Sequence, residues 1–328
     1  MKTFLLLCFL LVGMALLPPS SFTDTGQIHA YDVNVREISQ KAVILHNGSE
    51  EILILGTDLQ ADRKVGLLRF IPFPAEPQVS LAPPDVFETM AALLAKHQLQ
   101  FLVASKGGPM EGQAVELRLQ QKLGAHDLTI IKVNDPLQFR SWVNDYFTTK
   151  NLPVKPEYPL AEGIVEDYVQ RGIRYFVLDF VEISEDPRLI EPVLYRFASK
   201  DLYYPLKTSN TFGGTGGIDL MLILTGSLCR PSLAANDTCL GFPAGPMHGQ
   251  MHASTSAALS AEEILPLYAD AGEFFGGKPI FLQMISYWGD YIFDRDIFAD
   301  VGEAIAQAHG YEAEQNESFS IFPTGHAP

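Results

Sequence analysis

Short apolar runs bounded by turn-forming residues recur along the chain, and most have the length of a β-strand. In residues 41–59 two such runs flank Asn47-Gly48, a pair typical of a type I′ hairpin turn. A third run, residues 65–74, ends in prolines and predicts the next strand. Further runs predict strands at 101–105, 127–133, 173–183, 192–199, 217–226 and 278–288.

Other segments repeat their apolar residues every three or four positions, which is the spacing of an amphipathic helix. Residues 83–97 show this pattern, and Asp85 stands three positions before Glu88, as in a capping box. Similar patterns predict helices that begin at Asp135-Pro136, at residue 160 and at Ser260, and one over 296–310. Because strands and helices do not alternate regularly, we predict the α+β class, with largely antiparallel sheets, several packed helices and a loop-rich C-terminal region.

The length of 328 residues allows one large domain with an appended region. Apolar residues make up 47% of the chain and charged residues 19%, so the composition can bury a substantial core. Bulky apolar groups become scarce over residues 227–259. We therefore predict an α+β core domain at 30–226 and a C-terminal extension, 227–328, that contains a loop, a helix, a strand and a helix.

The N-terminus has the pattern of an export signal. Lys2 precedes a continuous apolar run from Phe4 to Leu17, and prolines and serines end that run. A run of this length suits a signal peptide and is short for a membrane span. We predict a signal peptide over residues 1–22, a periplasmic or secreted location, and no transmembrane segment in the mature chain; an uncleaved N-terminal anchor is the alternative.

The charge balance narrows the range of partners. Asp and Glu number 39 against 23 Lys and Arg, which gives a formal charge of -16. Such a surface repels phosphate backbones, so we exclude nucleic acid as a partner. It also gives no attraction to anionic lipid. An envelope protein remains a candidate partner.

Two cysteines, Cys229 and Cys239, remain once the signal segment that contains Cys8 is removed. An even pair in an exported protein suggests a disulfide, here across a turn-rich stretch. Two separate buried thiols are the alternative. Coordination of a metal by both thiolates is disfavoured, because nine intervening residues is not a usual ligand spacing.

The clearest candidate for a metal site is the stretch "GPMHGQMHAS", residues 245–254. His248 and His252 are four residues apart, so a helix would place both imidazoles on one face. Met247 and Met251 add thioethers with the same spacing, and imidazole with thioether suits copper better than calcium or magnesium. Copper or zinc is therefore the candidate metal. The nearby glycines and proline disfavour a helix, and an ordinary polar loop is the alternative interpretation.

Four segments carry a family resemblance: "FIPFPAEPQVSLAPPDVFETM", "GAHDLTIIKVNDPLQFRSWVNDYF", "YVQRGIRYFVLDFVEI" and "IEPVLYRFASKDLYYPLKTS". Their succession over about residues 40–226 resembles the exported bacterial family catalogued as domain of unknown function 2330. The resemblance implies a bacterial extracytoplasmic protein. It carries over no catalytic residue, because none is established for that family.

Known catalytic motifs do not identify an enzyme. The sequence contains no G-x-S-x-G and no H-E-x-x-H motif, so it names no catalytic residue. Our leading hypothesis is an exported, envelope-associated protein with a non-enzymatic binding or structural role. The alternatives are a copper- or zinc-binding module at His248 and His252, and a hydrolase with an unrecognised site near the glycine-rich stretch Gly213–Gly217.

Overall fold

The apolar runs of the sequence form the strands of the molecule. The structure is a computed structural model and describes residues 26–99, 126–186, 188–211, 214–230, 238–239, 248–291 and 296–301. In chain order the strands are β1 (Gly26–His29), β2 (Val35–His46), β3 (Glu50–Ala61), β4 (Val65–Phe73), β5 (Gln78–Leu81), β6 (Asp127–Lys132), β7 (Tyr175–Ile183), β8 (Arg188–Ala198), β9 (Asp201–Tyr204), β10 (Gly214–Leu224), β11 (Cys229–Arg230), β12 (Thr238–Cys239), β13 (His248–Ala253), β14 (Ala257–Leu259), β15 (Ile280–Tyr291) and β16 (Ile297–Asp300). The helices are α1 (Val86–Lys96), α2 (Leu137–Thr149), α3 (Pro159–Gln170), α4 (Ala261–Ile264) and α5 (Ala271–Phe275), and a 3-10 helix covers Leu206–Thr211.

The strands assemble into two main sheets. A four-stranded sheet has the order β1-β4-β7-β6, and a large sheet has the order β13-β15-β10-β2-β3-β8-β5, with β14 also paired to β15. Two short ladders join β9 to β16 and β11 to β12. Within the described ladders, β2 and β10 run parallel and the other pairs are antiparallel. The predicted α+β class with largely antiparallel sheets is confirmed.

The two sheets pack face to face, and helices cover their outer faces. Between the sheets, the ring centroid of Phe73 on β4 lies 5.0 Å from that of Tyr195 on β8. Behind the four-stranded sheet, Tyr168 of α3 meets Phe176 of β7 edge to face, with centroids 6.2 Å apart. Because side chains alternate between the two faces of a strand, the odd-numbered residues of β4 and β7 face the large sheet.

The outer face of the large sheet forms a second apolar layer. Val43 of β2 and Ile54 of β3 are buried there with side chains of α1, α4 and α5. Their chain neighbours Ala42 and Leu53 belong to the core between the sheets. The layers therefore run in the order helices, four-stranded sheet, large sheet, helices.

The predicted hairpin of β2 and β3 is confirmed, but its turn differs from the prediction. The amide of Asn47 donates to the carbonyl of Glu50 at 3.2 Å, so Gly48 and Ser49 occupy the central positions. Gly48 has a φ of 94°, and Ser49 does not have a positive φ. A positive φ at the first central residue alone is typical of a type II′ turn. Asn47 precedes the central pair, where its Oδ1 accepts the amides of Ser49 and Glu50 at 2.9 and 2.8 Å.

The C-terminal region contributes strands to the large sheet. From Gly214 to Leu224, β10 pairs with β15 residue by residue, from Tyr291 to Phe281. The boundary that we placed after residue 226 therefore separates two stretches of chain that share one sheet. The helix predicted to begin at Ser260 is present as α4, and a capping box between Ser260 and Glu263 forms its start.

The helix predicted over 296–310 is wrong at its beginning, because Ile297–Asp300 is a strand paired with β9. Its residues alternate between buried and exposed, which is the two-residue period of a strand. Asp296 is buried just before it and accepts hydrogen bonds from Tyr168 Oη at 2.6 Å and Arg171 Nη1 at 2.9 Å. These bonds attach the start of β16 to the C-terminal end of α3. The remainder of the predicted helix, and the strand predicted at 101–105, lie outside the described residues.

Candidate functional site

An open cleft with a volume of about 410 Å³ lies where three distant segments of the chain meet. The segments are the end of β1 with the stretch that follows it, the turn between β3 and β4, and the connector between α2 and α3. The side chains that line the cleft are His29, Tyr31, Asp32, Val33, Asn34, Asp62 and Lys155. A concave site with a few converging polar groups is the usual form of a small-molecule site, so this cleft is our candidate binding site.

Hydrogen bonds hold the three segments of the cleft together. The backbone amide of Asp62 donates to the carbonyl of Asn34 at 3.1 Å. Arg63 Nη2 donates to the carbonyl of Asp32 at 2.6 Å, and Lys155 Nζ lies 2.9 Å from Asp32 Oδ1. Because each wall is tied to another, the cleft is largely formed before any ligand arrives.

The electrostatics of the cleft distinguish its two carboxylates. The Lys155 ammonium lowers the pKa of Asp32 through a hydrogen bond and its charge, so this carboxylate is ionised and paired. Asp62 has weaker contacts: the backbone amide and the side-chain amide of Asn34 each donate to its Oδ2 at 3.4 Å. No cation among the described residues lies within ion-pair distance of Asp62. Burial, aided by the Lys155 charge, lowers the pKa of His29 to about 4, so its ring is neutral at physiological pH.

A buried ion pair lies between the two sheets. Arg69 on β4 and Asp179 on β7 are register partners, and the guanidinium binds Oδ2 of the carboxylate. Nδ1 of His126 lies 2.9 Å from the same Oδ2, and its Nε2 lies 3.0 Å from the carbonyl oxygen of Glu191 on β8. Gln27 of β1, also buried, is the register partner of Arg69. This polar centre therefore joins the four-stranded sheet to the large sheet.

The Asp179–His126 pair consists of the two residue types of a catalytic acid–base dyad, but a substrate cannot reach it. Burial alone would raise the pKa of Asp179, but the Arg69 guanidinium and the His126 ring together lower it. Both ring nitrogens of His126 face oxygen acceptors, and the side chains of Asp179 and His126 are 1% and 5% exposed. Neither nitrogen is left to exchange a proton with a substrate, so the pair serves the fold.

The predicted metal ligands lie on a strand. His248, Met251 and His252 belong to β13, and Met247 lies outside the described residues. Four residues span about 13 Å along a strand, against about 6 Å along a helix axis, so the backbone here does not bring the two imidazoles together as a helix would. Within the described residues, no three His, Cys, Asp or Glu side chains form a group that could hold a metal ion.

The register of β13 brings a different set of polar residues into one row. His252 is the partner of Ser286 on β15, and Ser286 is the partner of Asp219 on β10. Ser286 Oγ donates to Asp219 Oδ1 at 2.6 Å, and burial raises the pKa of Asp219. Because the hydroxyl proton already points to a carboxylate, Ser286 is not arranged as a nucleophile whose proton passes to a histidine.

The backbone also locates the predicted disulfide cysteines and the glycine-rich stretch. Cys229 and Cys239 are register partners in the ladder of β11 and β12. The glycine-rich stretch Gly213–Gly217 enters β10 at Gly214, and Gly214–Gly217 pair with residues 288–291 of β15. It therefore does not form a loop over a pocket within the described residues.

Sequence reasoning missed the cleft and the buried ion pair for different reasons. The cleft has no local signal, because His29, Asp62 and Lys155 are far apart in the chain and only the topology joins them. The ion pair has a signal: Arg69 interrupts the apolar run "VGLLRFIPF", and Asp179 interrupts "YFVLDFVEI". Two opposite charges within apolar strands predict a partnership, since a buried charge is stable only when paired.

Comparisons with known proteins give one match. Residues 20–260 match the model of a family described as an uncharacterised protein conserved in bacteria, DUF2330. The match extends beyond residues 40–226 at both ends, so it includes the cleft, both cysteines and both histidines of β13. No curated protein and no solved structure matches the chain. Among the helices that the structure describes, none is long and apolar enough to cross a membrane.

Proposed function

The chain belongs to this bacterial family, and from that premise we propose that it is an exported, non-enzymatic binding module of the cell envelope. Export is supported by the apolar run from Phe4 to Leu17 behind Lys2, which suits a signal peptide over residues 1–22. The acidic composition favours solubility and disfavours nucleic acid as a partner.

The observation that carries the binding role is the open cleft. Its walls come from three segments that hydrogen bonds tie together, and its volume of about 410 Å³ suits a small molecule. Its lining combines an aromatic ring, carboxylates, an amide and an ammonium group. Such a mixture suits recognition of a small polar ligand. The candidate acid–base pair, Asp179 and His126, is buried away from solvent, which favours binding over catalysis.

A disulfide between Cys229 and Cys239 is part of the same proposal. Directly opposed residues of an antiparallel ladder have Cα atoms about 4.5–5.5 Å apart, within the range that a disulfide bridges. Mass spectrometry of the exported protein, alkylated with and without prior reduction, tests this. We expect alkylation of both cysteines only after reduction. Alkylation of both without reduction would contradict the disulfide.

Metal binding at β13 is a second candidate, favoured by one observation. His248 is the register partner of Asp290, so an imidazole and a carboxylate, both zinc ligands, stand on adjacent strands. Elemental analysis of the exported protein and of a His248→Ala/His252→Ala double variant tests this role. Stoichiometric copper or zinc that is lost in the variant would establish it, and metal-free wild-type protein would exclude it.

The binding role is tested by export and ligand screening together. Cell fractionation should place the chain outside the cytoplasm, without its first residues. A thermal-shift screen of small polar molecules should then find ligands that raise the melting temperature of the wild type. An Asn34→Trp variant, which fills the cleft with a bulky ring, should lose this response. Lys200→Trp, on an exposed residue outside the cleft, is the control and should retain it.

A further inference from the structure

One of the two carboxylates in the cleft, Asp62, has no ion-pair partner within the described residues. The Lys155 ammonium is paired with Asp32, and Arg63 donates to the Asp32 carbonyl. Asp62 receives two long hydrogen bonds from the Asn34 amide and amide side chain, and no described cation lies within ion-pair distance of it. The group that the cleft offers to a ligand is therefore a carboxylate with unused capacity to accept hydrogen bonds.

The other lining groups suit a positive ligand with a short apolar part. The side chain of Tyr31 is an exposed aromatic at 42% exposure, and the face of an aromatic ring attracts cations. Val33 supplies an apolar contact beside it. His29 adds no repulsion, because burial and the Lys155 charge lower its pKa to about 4 and keep the ring neutral.

We propose that the cleft binds a small organic cation, a protonated primary amine with a short aliphatic chain. The ammonium group donates to the Asp62 carboxylate and lies near the Tyr31 ring, while the chain contacts Val33. This inference rests on the proposed binding function and specifies its ligand class. An anion would meet the unpaired Asp62 carboxylate, while the Lys155 ammonium is already paired with Asp32, and a neutral alcohol would leave Asp62 without an ion-pair partner.

Three probes that each carry a short unbranched alkyl chain separate these possibilities: n-butylammonium, pentanoate and n-pentanol. Each is titrated into the exported full chain, and chemical-shift changes of the cleft residues are followed by nuclear magnetic resonance. We expect n-butylammonium to bind the cleft at least roughly tenfold more tightly than the other two, since a hydrogen bond to a charged group is stronger than a neutral one. Glucose serves as a neutral polyhydroxyl probe.

Substitutions in the cleft test which side chains bind n-butylammonium. Asp62→Asn should weaken the binding of n-butylammonium roughly tenfold, because the substitution removes the charge and keeps the shape of the side chain. Asp270→Asn, an exposed aspartate on the far helical layer, should leave the affinity unchanged. Tyr31→Leu should weaken binding several-fold through loss of the aromatic face. It provides a second test if Asp62→Asn disturbs the turn between β3 and β4.

The outcomes separate this inference from the function on which it rests. Preferred binding of pentanoate, n-pentanol or glucose in the cleft would overturn the amine assignment and leave the binding function standing. An equal affinity of the wild type and Asp62→Asn for n-butylammonium would also overturn the assignment. If none of the four probes and no ligand from the screen shifts the cleft residues, both the assignment and the binding function fail.

Discussion

Glu51 gives a quantitative test of the fold, because its carboxyl group lies where a charge is costly. It is fully buried on β3, on the face that packs toward the four-stranded sheet. The amide of Tyr203 donates to its Oε2 at 2.6 Å. Burial raises the pKa of Glu51 well above its ordinary value, and the hydrogen bond from Tyr203 opposes this shift only in part. The folded protein therefore favours the protonated acid.

The sign and size of the effect follow from proton linkage. Between the unfolded pKa and the raised folded pKa, the folded state holds one more proton than the unfolded state. The free energy of unfolding therefore falls as the pH rises, by about 1.4 kcal/mol per pH unit for one proton. Below the unfolded pKa, near 4.3, Glu51 contributes no pH dependence because it is protonated in both states. Replacement by glutamine keeps the acceptor for Tyr203 and removes the ionisation.

The assay is urea unfolding of the wild type and the Glu51→Gln variant from pH 4 to pH 7. We expect the stability of the variant, relative to the wild type, to increase by about 1.4 kcal/mol for each pH unit above 5 until the folded pKa is reached. Glu185→Gln, on an exposed residue, is the control and should show no such slope. Parallel stability curves for the wild type and Glu51→Gln would refute the assignment of a buried neutral acid.

Three further changes test separate parts of the fold by the same unfolding assay. Asp179→Ala leaves Arg69 buried without its carboxylate and should cost about 3–5 kcal/mol; a loss below about 1 kcal/mol would contradict a buried ion pair. Gly56→Ala would place a Cβ 2.2 Å from the Phe87 ring and should lower the stability by about 1–3 kcal/mol through overpacking. Unchanged stability would mean that α1 does not pack closely against β3 at this position. Ser260→Ala removes the capping box of α4 and should cost about 1 kcal/mol, and no loss would show that this helix needs no cap.

The sequence predicted elements best where a single periodicity applied over many residues. The predicted helix over residues 83–97 contains α1, and the predicted strand over 173–183 contains β7. The prediction failed where two patterns overlapped. Residues 296–310 contain apolar positions that fit a helix, but the tertiary pairing of β16 with β9 decides the conformation of Ile297–Asp300.

The candidate site was less predictable because it depends on long-range topology. The spacing of His248 and His252 brings two imidazoles close together on a helix, but these residues lie on strand β13, where the same spacing separates them along the strand. Tyr31, Asp62 and Lys155 show no periodicity, and each lies in a connection between elements. The hydrogen bonds that bring them together join residues distant in the chain, such as Arg63 to Asp32. No local pattern carries that information.

The most direct test of the binding role is the dissociation constant of n-butylammonium, measured by titration for the exported wild type, Asn34→Trp and Lys200→Trp. We predict saturable one-to-one binding to the wild type and to Lys200→Trp, and a loss of at least roughly tenfold in Asn34→Trp, since the bulky ring occupies the cleft. Equal affinities for all three proteins would contradict the account, because the ligand would then bind outside the cleft.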